Sequence, residues 1–140
     1  GDVYKRQSIS LQLNNLFSVD KPFSSNRKEE KKHGDSGSLI GSPLSGEGLI
    51  VDDVISSGSS IEESINIIKK NNAKPISVLV ALDRMELGKK RRAAFELESD
   101  NNISVHSIIN IEDVVVYLKK NESGNDNIQR MEEYLDQFKR

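Results

Sequence analysis

Between residues 49 and 70 a short apolar run passes through a serine- and glycine-rich turn directly into a helical pattern, and few architectures accommodate that succession. Leu49-Ile50-Val51 is the kind of run carried by a strand buried on both faces. It meets Asp52-Asp53, resumes in Val54-Ile55 and breaks into Ser56-Ser57-Gly58-Ser59-Ser60. A helix is expected at once. Ser60 and Glu63 have the spacing of a capping box, and Ile61, Ile65 and Ile68 recur at helical intervals until Asn71-Asn72. The alternation then repeats. Residues 75–83 and 103–109 read as strands rich in β-branched side chains. Residues 89–100 read as a helix with Ala93, Ala94 and Leu97 on one side. Asn110 reads as the cap of a helix carrying Val114, Val115 and Leu118. Ile128, Met131, Leu135 and Phe138 make the apolar stripe of a terminal helix. Strands alternating with amphipathic helices predict an α/β fold, a parallel sheet flanked by helices with right-handed crossovers.

Upstream the pattern is weaker. Residues 8–17 fit a short helix through Ile9, Leu11, Leu13, Leu16 and Phe17, and Lys21-Pro22-Phe23 leads into a short strand. Residues 26–42 are charged and then glycine- and serine-rich, with almost nothing apolar before Leu39. So long a polar connection inside a compact domain is usually functional. Residues 1–7 (GDVYKRQ) do not continue the pattern and are expected to be a foreign leader, leaving 8–140 as one domain.

Composition narrows the function classes. A chain of 140 residues builds one core, and a formal net charge of −2 gives no global positive field for nucleic acid. Without cysteine there is no disulfide framework or thiolate metal site. No apolar run approaches the roughly 20 residues that cross a bilayer. The expected partners are small molecules, with neither nucleic acid nor membrane, and the expected location is the cytoplasm.

The turn after residue 55 is where chemistry is expected. Open α/β sheets bind ligands beyond the carboxyl ends of their strands. Backbone N–H groups of a Ser/Gly turn, backed by a helix N-terminus, suit a phosphate, and Gly58 permits close backbone approach. The Ser56 and Ser59 hydroxyls add hydrogen bonds, and two carboxylates nearby suit a ribose diol or hydrated Mg2+. Together they read as a ribose 5-phosphate cradle. The plainer alternative is a serine-rich loop after a strand, a common pattern. No Walker sequence is present.

VDDVISSGSS (residues 51–60) resembles the phosphoribosyl pyrophosphate (PRPP) signature of type I phosphoribosyltransferases. Two further segments resemble the orotate phosphoribosyltransferases within that class. NRKEEKKHG (26–34) is similar to their mobile catalytic loop, and ALDR (81–84) to the strand end that carries an arginine beside orotate. The resemblance runs from about residue 8 to the C-terminus.

It implies transfer of phosphoribose from PRPP to orotate, giving orotidine 5′-phosphate and diphosphate in pyrimidine synthesis. Arg27, Lys28, Lys31 and His33 would then bind the diphosphate side as the loop closes, with Lys31, His33 and Asp53 in catalytic roles. Fixed cations beside a leaving group that gains negative charge favour the transition state. Asp52 and Asp53 would meet the ribose hydroxyls, and Val54, Ile55, Ser56, Ser57, Gly58, Ser59 and Ser60 would wrap the 5-phosphate. Ser56 and Arg84 would meet orotate, the arginine offering a planar fork to a carboxylate. Mg2+ would arrive on PRPP, near Asp52 and Asp53, with no direct protein ligand. A homodimer is implied, the 26–42 loop reaching the neighbouring site.

Each residue also has an ordinary explanation. RKEEKK by itself is a solvated run of mixed charge, Arg84 a surface ion pair with Asp83 or Glu86, and Lys89-Lys90-Arg91-Arg92 a solvated helix start. His106 sits in a strand without a motif. The family more often has Thr at 56 and 59. Its N-terminal hood, first strands, base-binding lysine and Tyr-Lys segment have no counterpart here, since Tyr4-Lys5 stands too close to the helix and is given no role. The expectation is a fragment that keeps the cradle but has little transferase activity and poor solubility. The rival readings are a purine phosphoribosyltransferase and a non-catalytic PRPP- or nucleotide-sensing regulator of the same fold. The loop cations and ALDR argue against both.

Overall fold

The computed structural model describes residues 3–26, 39–121 and 126–137. Helix α1 (Val3–Phe17) leads to β1 (Ser24–Asn26) and β2 (Leu39–Gly41). Then come β3 (Glu47–Ile55), α2 (Ser59–Lys70), β4 (Lys74–Asp83), α3 (Ala93–Asn101), β5 (Ser104–Asn110), α4 (Ile111–Asn121) and α5 (Asp126–Asp136).

β3, β4 and β5 form a parallel sheet in that order, joined through α2 and α3. β1 and β2 pair antiparallel, Ser25 opposite Ile40. They form a two-stranded ribbon, so both ends of the segment read as one polar loop are built into strands. Gly41 makes that ribbon possible. At φ 106° its added Cβ would stand 2.3 Å from the Phe23 carbonyl oxygen.

Ile50, Val78 and Val80 on the sheet pack against Ile61, Ile65 and Ile68 of α2 and against Ala93 and Leu97 of α3. Each buried isoleucine contributes about 1.5–3 kcal/mol. The expected burial of β3 on both faces is not found. Leu49, next to the buried Ile50 on the opposite face, is 50% exposed. A second cluster joins Met85 to Val115 of α4 and to Ile128 and Leu135 of α5. Phe138 lies outside the described residues.

Three expected helix starts are corrected. α1 begins at Val3, ahead of the expected start at residue 8. α2 begins at Ser59 with Gly58 as its N-cap and no side-chain cap, so Ser60 and Glu63 form no capping box. α3 begins only at Ala93. The Glu96 carboxylate reaches back to accept the backbone N–H groups of Lys89 (2.6 Å), Lys90 (2.5 Å) and Arg91 (2.9 Å). That holds the basic run as a turn instead of a first helical turn. The α4 cap is as expected. The Asp113 N–H donates to Asn110 Oδ1 at 3.0 Å, and the Asn110 N–H to Asp113 Oδ2 at 2.8 Å.

Candidate functional site

β3 does not end at the paired acids. It runs through Asp52 and Asp53 to Ile55, so both acids are residues of the strand itself. Each folds back on the chain. The Asp53 N–H donates to Asp52 Oδ1 at 3.0 Å, and the Val54 N–H to Asp53 Oδ1 at 3.1 Å. Asp53 Oδ2 also lies 2.8 Å from the Lys5 ammonium. The Lys5 hydrogen bond, with lesser help from Asp52 and the backbone, brings the Asp53 pKa from 3.8 down to about 2. Asp53 is therefore a charged acceptor across the whole physiological range.

Past Ile55, which is buried, the chain turns through Ser56, Ser57 and Gly58. Gly58 adopts φ 82°, which a side chain strongly disfavours, and a Cβ there would stand 3.2 Å from Leu97 Cδ1. Its carbonyl accepts from the Ile61 and Glu62 N–H groups at 3.1 and 2.9 Å, starting the helix. With no side chain capping α2, the N–H groups of Ser59 and Ser60 at its start remain available for an anion. The Ser57 and Ser59 hydroxyls lie 3.3 Å apart at the mouth of this turn. Glu62 in the first turn of α2 opposes an anion, but the Lys89 ammonium pairs with it at 2.9 Å.

The neighbouring strand closes the site. The Arg84 N–H donates to the Ile55 carbonyl at 3.1 Å, setting the end of β4 directly beside the turn. Arg84 Nη2 contacts Glu86 Oε1 at 2.7 Å and donates to the Tyr134 hydroxyl at 3.1 Å. The Glu86 pair is thus the ordinary partner named for this arginine, but it is one side of a triangle, since the Tyr134 hydroxyl also donates to Glu86.

The structure therefore brings together Asp52, Asp53, Val54, Ile55, Ser56, Ser57, Gly58, Ser59, Ser60 and Arg84. Arg27, Lys28, Lys31 and His33 lie outside the described residues. His106 is exposed on β5, apart from this turn. Sequence reasoning gave Lys5 no role, although it lies against Asp53, named Glu86 only as an ordinary ion-pair partner of Arg84, and did not single out Tyr134 as a neighbour of the site.

The family model described as "Phosphoribosyl transferase domain" matches residues 7–116. The chain belongs to that family. This phosphoribosyltransferase domain is 44% identical over 132 residues to the orotate phosphoribosyltransferase of Actinobacillus pleuropneumoniae serotype 5b (strain L20), covering 94% of this chain and 62% of the relative. It is 43% identical over 128 residues to that of Hahella chejuensis, covering 91% of this chain and 60% of the relative. It superposes on the crystal structure of orotate phosphoribosyltransferase from Francisella tularensis with a TM-score of 0.73 at 27% identity, over 94% of this chain and 62% of that one. The phosphoribosyltransferase domain thus spans about 62% of the length of the first of these relatives. Its parallel sheet flanked by helices is the type I phosphoribosyltransferase fold. Among the described residues no helix is long and apolar enough to cross a membrane.

Proposed function

We propose that this phosphoribosyltransferase domain serves transfer of phosphoribose from PRPP to orotate, forming orotidine 5′-phosphate and diphosphate for pyrimidine synthesis. The observation that carries it is the backbone Arg84 N–H bond to the Ile55 carbonyl, which sets the strand end that bears this arginine beside an uncapped, glycine-turned helix start. A phosphate at the turn and an anionic base at Arg84 are then two ends of one substrate pair. The 44% identity to an orotate phosphoribosyltransferase supports orotate over a purine as that base.

In this proposal the N–H groups and hydroxyls of residues 56–60 bind the 5-phosphate, and Asp52 and Asp53 accept hydrogen bonds from the ribose. Ser56 and Arg84 hold orotate. Arg27, Lys28, Lys31 and His33 draw charge onto the departing diphosphate, Lys31 and His33 acting with Asp53 in the catalytic step. The loop they belong to, 26–42, reaches the neighbouring site of a homodimer. Residues 8–140 carry the proposed domain, while α1 already begins at Val3 and Lys5 meets Asp53, so part of 1–7 packs with it. Hard carboxylate oxygens suit Mg2+, and Asp53 stays ionised to about pH 2. Among the described residues no three His, Cys, Asp or Glu side chains form a ready-made metal site. Mg2+ would arrive as an ion carried by PRPP, its waters held by Asp52 and Asp53, and it would neutralise diphosphate charge. The substrates, product and fold suit the cytoplasm.

The test is calorimetric titration with PRPP and Mg2+, with orotate consumption followed by absorbance and a panel of bases compared. One-to-one PRPP binding that disappears in the Asp52→Ala, Asp53→Ala, Gly58→Val triple variant is expected, with orotate as the accepted base. Undiminished PRPP affinity in that variant sinks the cradle, and preference for a purine sinks the choice of base.

A further inference from the structure

We infer that Tyr134, on the C-terminal helix, is a positioning residue for base recognition, holding the Arg84 guanidinium and its Glu86 counter-charge in the geometry that meets the orotate carboxylate. The inference rests on the proposed role of Arg84 and adds the device that sets its direction.

An arginine at the end of a strand has a long side chain with many rotamers, and a fork that wanders binds a carboxylate poorly. Here both ends of the residue are fixed. On the main chain, its N–H is bonded to Ile55 and the next residue, Met85, is held at φ 58°. That conformation is unfavourable for a methionine. It is kept by the Met85 N–H donating to Asp83 Oδ1 at 2.7 Å, and by burial of the Met85 side chain beside Val115, Ile128 and Leu135. The strand end that carries Arg84 is therefore bolted to α4 and α5.

On the side chain, Arg84 Nη2 serves both the Glu86 carboxylate and the Tyr134 phenol oxygen, while the phenol proton goes to Glu86. The Arg84 Cζ lies 6.0 Å from the centroid of the Tyr134 ring. Burial and the Glu86 carboxylate raise the Tyr134 pKa, so the phenol keeps its proton. Both of the Arg84 contacts use Nη2. Among the described residues Nε and Nη1 donate to no acceptor, which leaves three N–H groups for an incoming carboxylate. Glu86 alone would compete with an anionic base for the guanidinium. The Tyr134 hydroxyl satisfies part of that carboxylate and keeps it at one corner.

The place of Tyr134 in the chain fits a role in base choice. The match to the phosphoribosyl transferase family ends at residue 116, whereas Tyr134 lies on α5. The sugar-phosphate cradle thus belongs to the shared domain, and the clamp on the base-side arginine comes from the appended helix.

The test compares Tyr134→Phe, Arg84→Ala and the double variant in steady-state kinetics of the intact protein. Tyr134→Phe keeps the ring and removes one charge-assisted bond, so the orotate KM is expected to rise about tenfold while the PRPP KM and the melting temperature hold. Because Tyr134 acts through Arg84, the double variant is expected to match Arg84→Ala. In the unliganded chain, nitrogen NMR of the Arg84 guanidinium is expected to show faster Nη rotation in Tyr134→Phe. Unchanged orotate KM or unchanged rotation, an additive double variant, or an effect spread over PRPP KM and melting temperature overturns the positioning role. If Arg84→Ala itself leaves the orotate KM unchanged, the proposed role of Arg84 falls first and the clamp with it.

Discussion

Asp53 is claimed by two partners. In the described structure its carboxylate is occupied by Lys5, while the proposed function needs it for the ribose and for waters of substrate-borne Mg2+. Both side chains are at least a third exposed, so the pair stabilises little. Its folded pKa is depressed, so the stability it adds is present above about 4 and is lost as pH falls from 3.8 toward about 2. Lys5→Met is expected to return the Asp53 pKa toward 3.8, read by carboxyl NMR, and to leave PRPP affinity equal or higher. A fall in affinity would make Lys5 part of the site. Gly58, like Gly41, sits at a positive φ that glycine alone takes without strain. Gly58→Val places a branched side chain at φ 82° against Leu97. It is expected to cost roughly 2–4 kcal/mol in urea unfolding, from left-handed strain and overpacking together. Gly58→Ala, with only the strain and one methyl contact, is expected to cost about 1–2 kcal/mol.

At the level of elements, the outcome followed the strength of the local signal. α2 was legible because three isoleucines at helical spacing all face one core, and Ile61, Ile65 and Ile68 are all buried. The α4 cap was legible because an Asx residue and an acid three positions later bond each other's backbone, with no tertiary partner required. The start of α3 was not legible. Its first expected residues are good helix formers, but their N–H groups are taken by Glu96, and Gly88 gives way to that carboxylate with no room for a side chain. The triangle around Arg84 was out of reach as well, since Tyr134 lies fifty residues away and only the α5 packing brings it in. The Glu96 turn yields a prediction of its own. Hydrogen bonds from Lys89, chief among its backbone donors, lower the Glu96 pKa below 4.5. The stability it lends is complete above about 4.5 and is lost as pH drops through the lowered value. Glu96→Gln is expected to lower the melting temperature at pH 7 and to flatten its decline on the acid side. An acid limb identical to that of the unmodified chain would remove Glu96 from this role.

Across the whole molecule, the described sheet is open at both edges. β3 and β5 each pair with β4 alone among the described residues, so both outer edges present unpaired backbone groups. Apolar side chains accompany those edges: Leu49 is half exposed on β3, and Ile108 is 73% exposed on β5, near the exposed Val116 and Tyr117 of α4. Unpaired edges flanked by apolar surface favour association between copies of a chain. The chain spans about 62% of the length of its Actinobacillus pleuropneumoniae relative, so its open surface is that of a partial match to the relative's fold. Sedimentation velocity is expected to show association that rises with concentration, accompanied by binding of a hydrophobic dye. Leu49→Glu with Ile108→Lys charges both edges at positions that face solvent, where substitutions usually shift stability by about 0.5 kcal/mol or less. The pair is expected to suppress association and dye binding together while PRPP binding persists, because the cradle lies at the carboxyl ends of the strands. If the unmodified chain sediments as one monomer at every concentration and binds no dye, the open edges carry no such liability. If the double variant loses PRPP binding, the edges and the cradle are not independent parts of the fold.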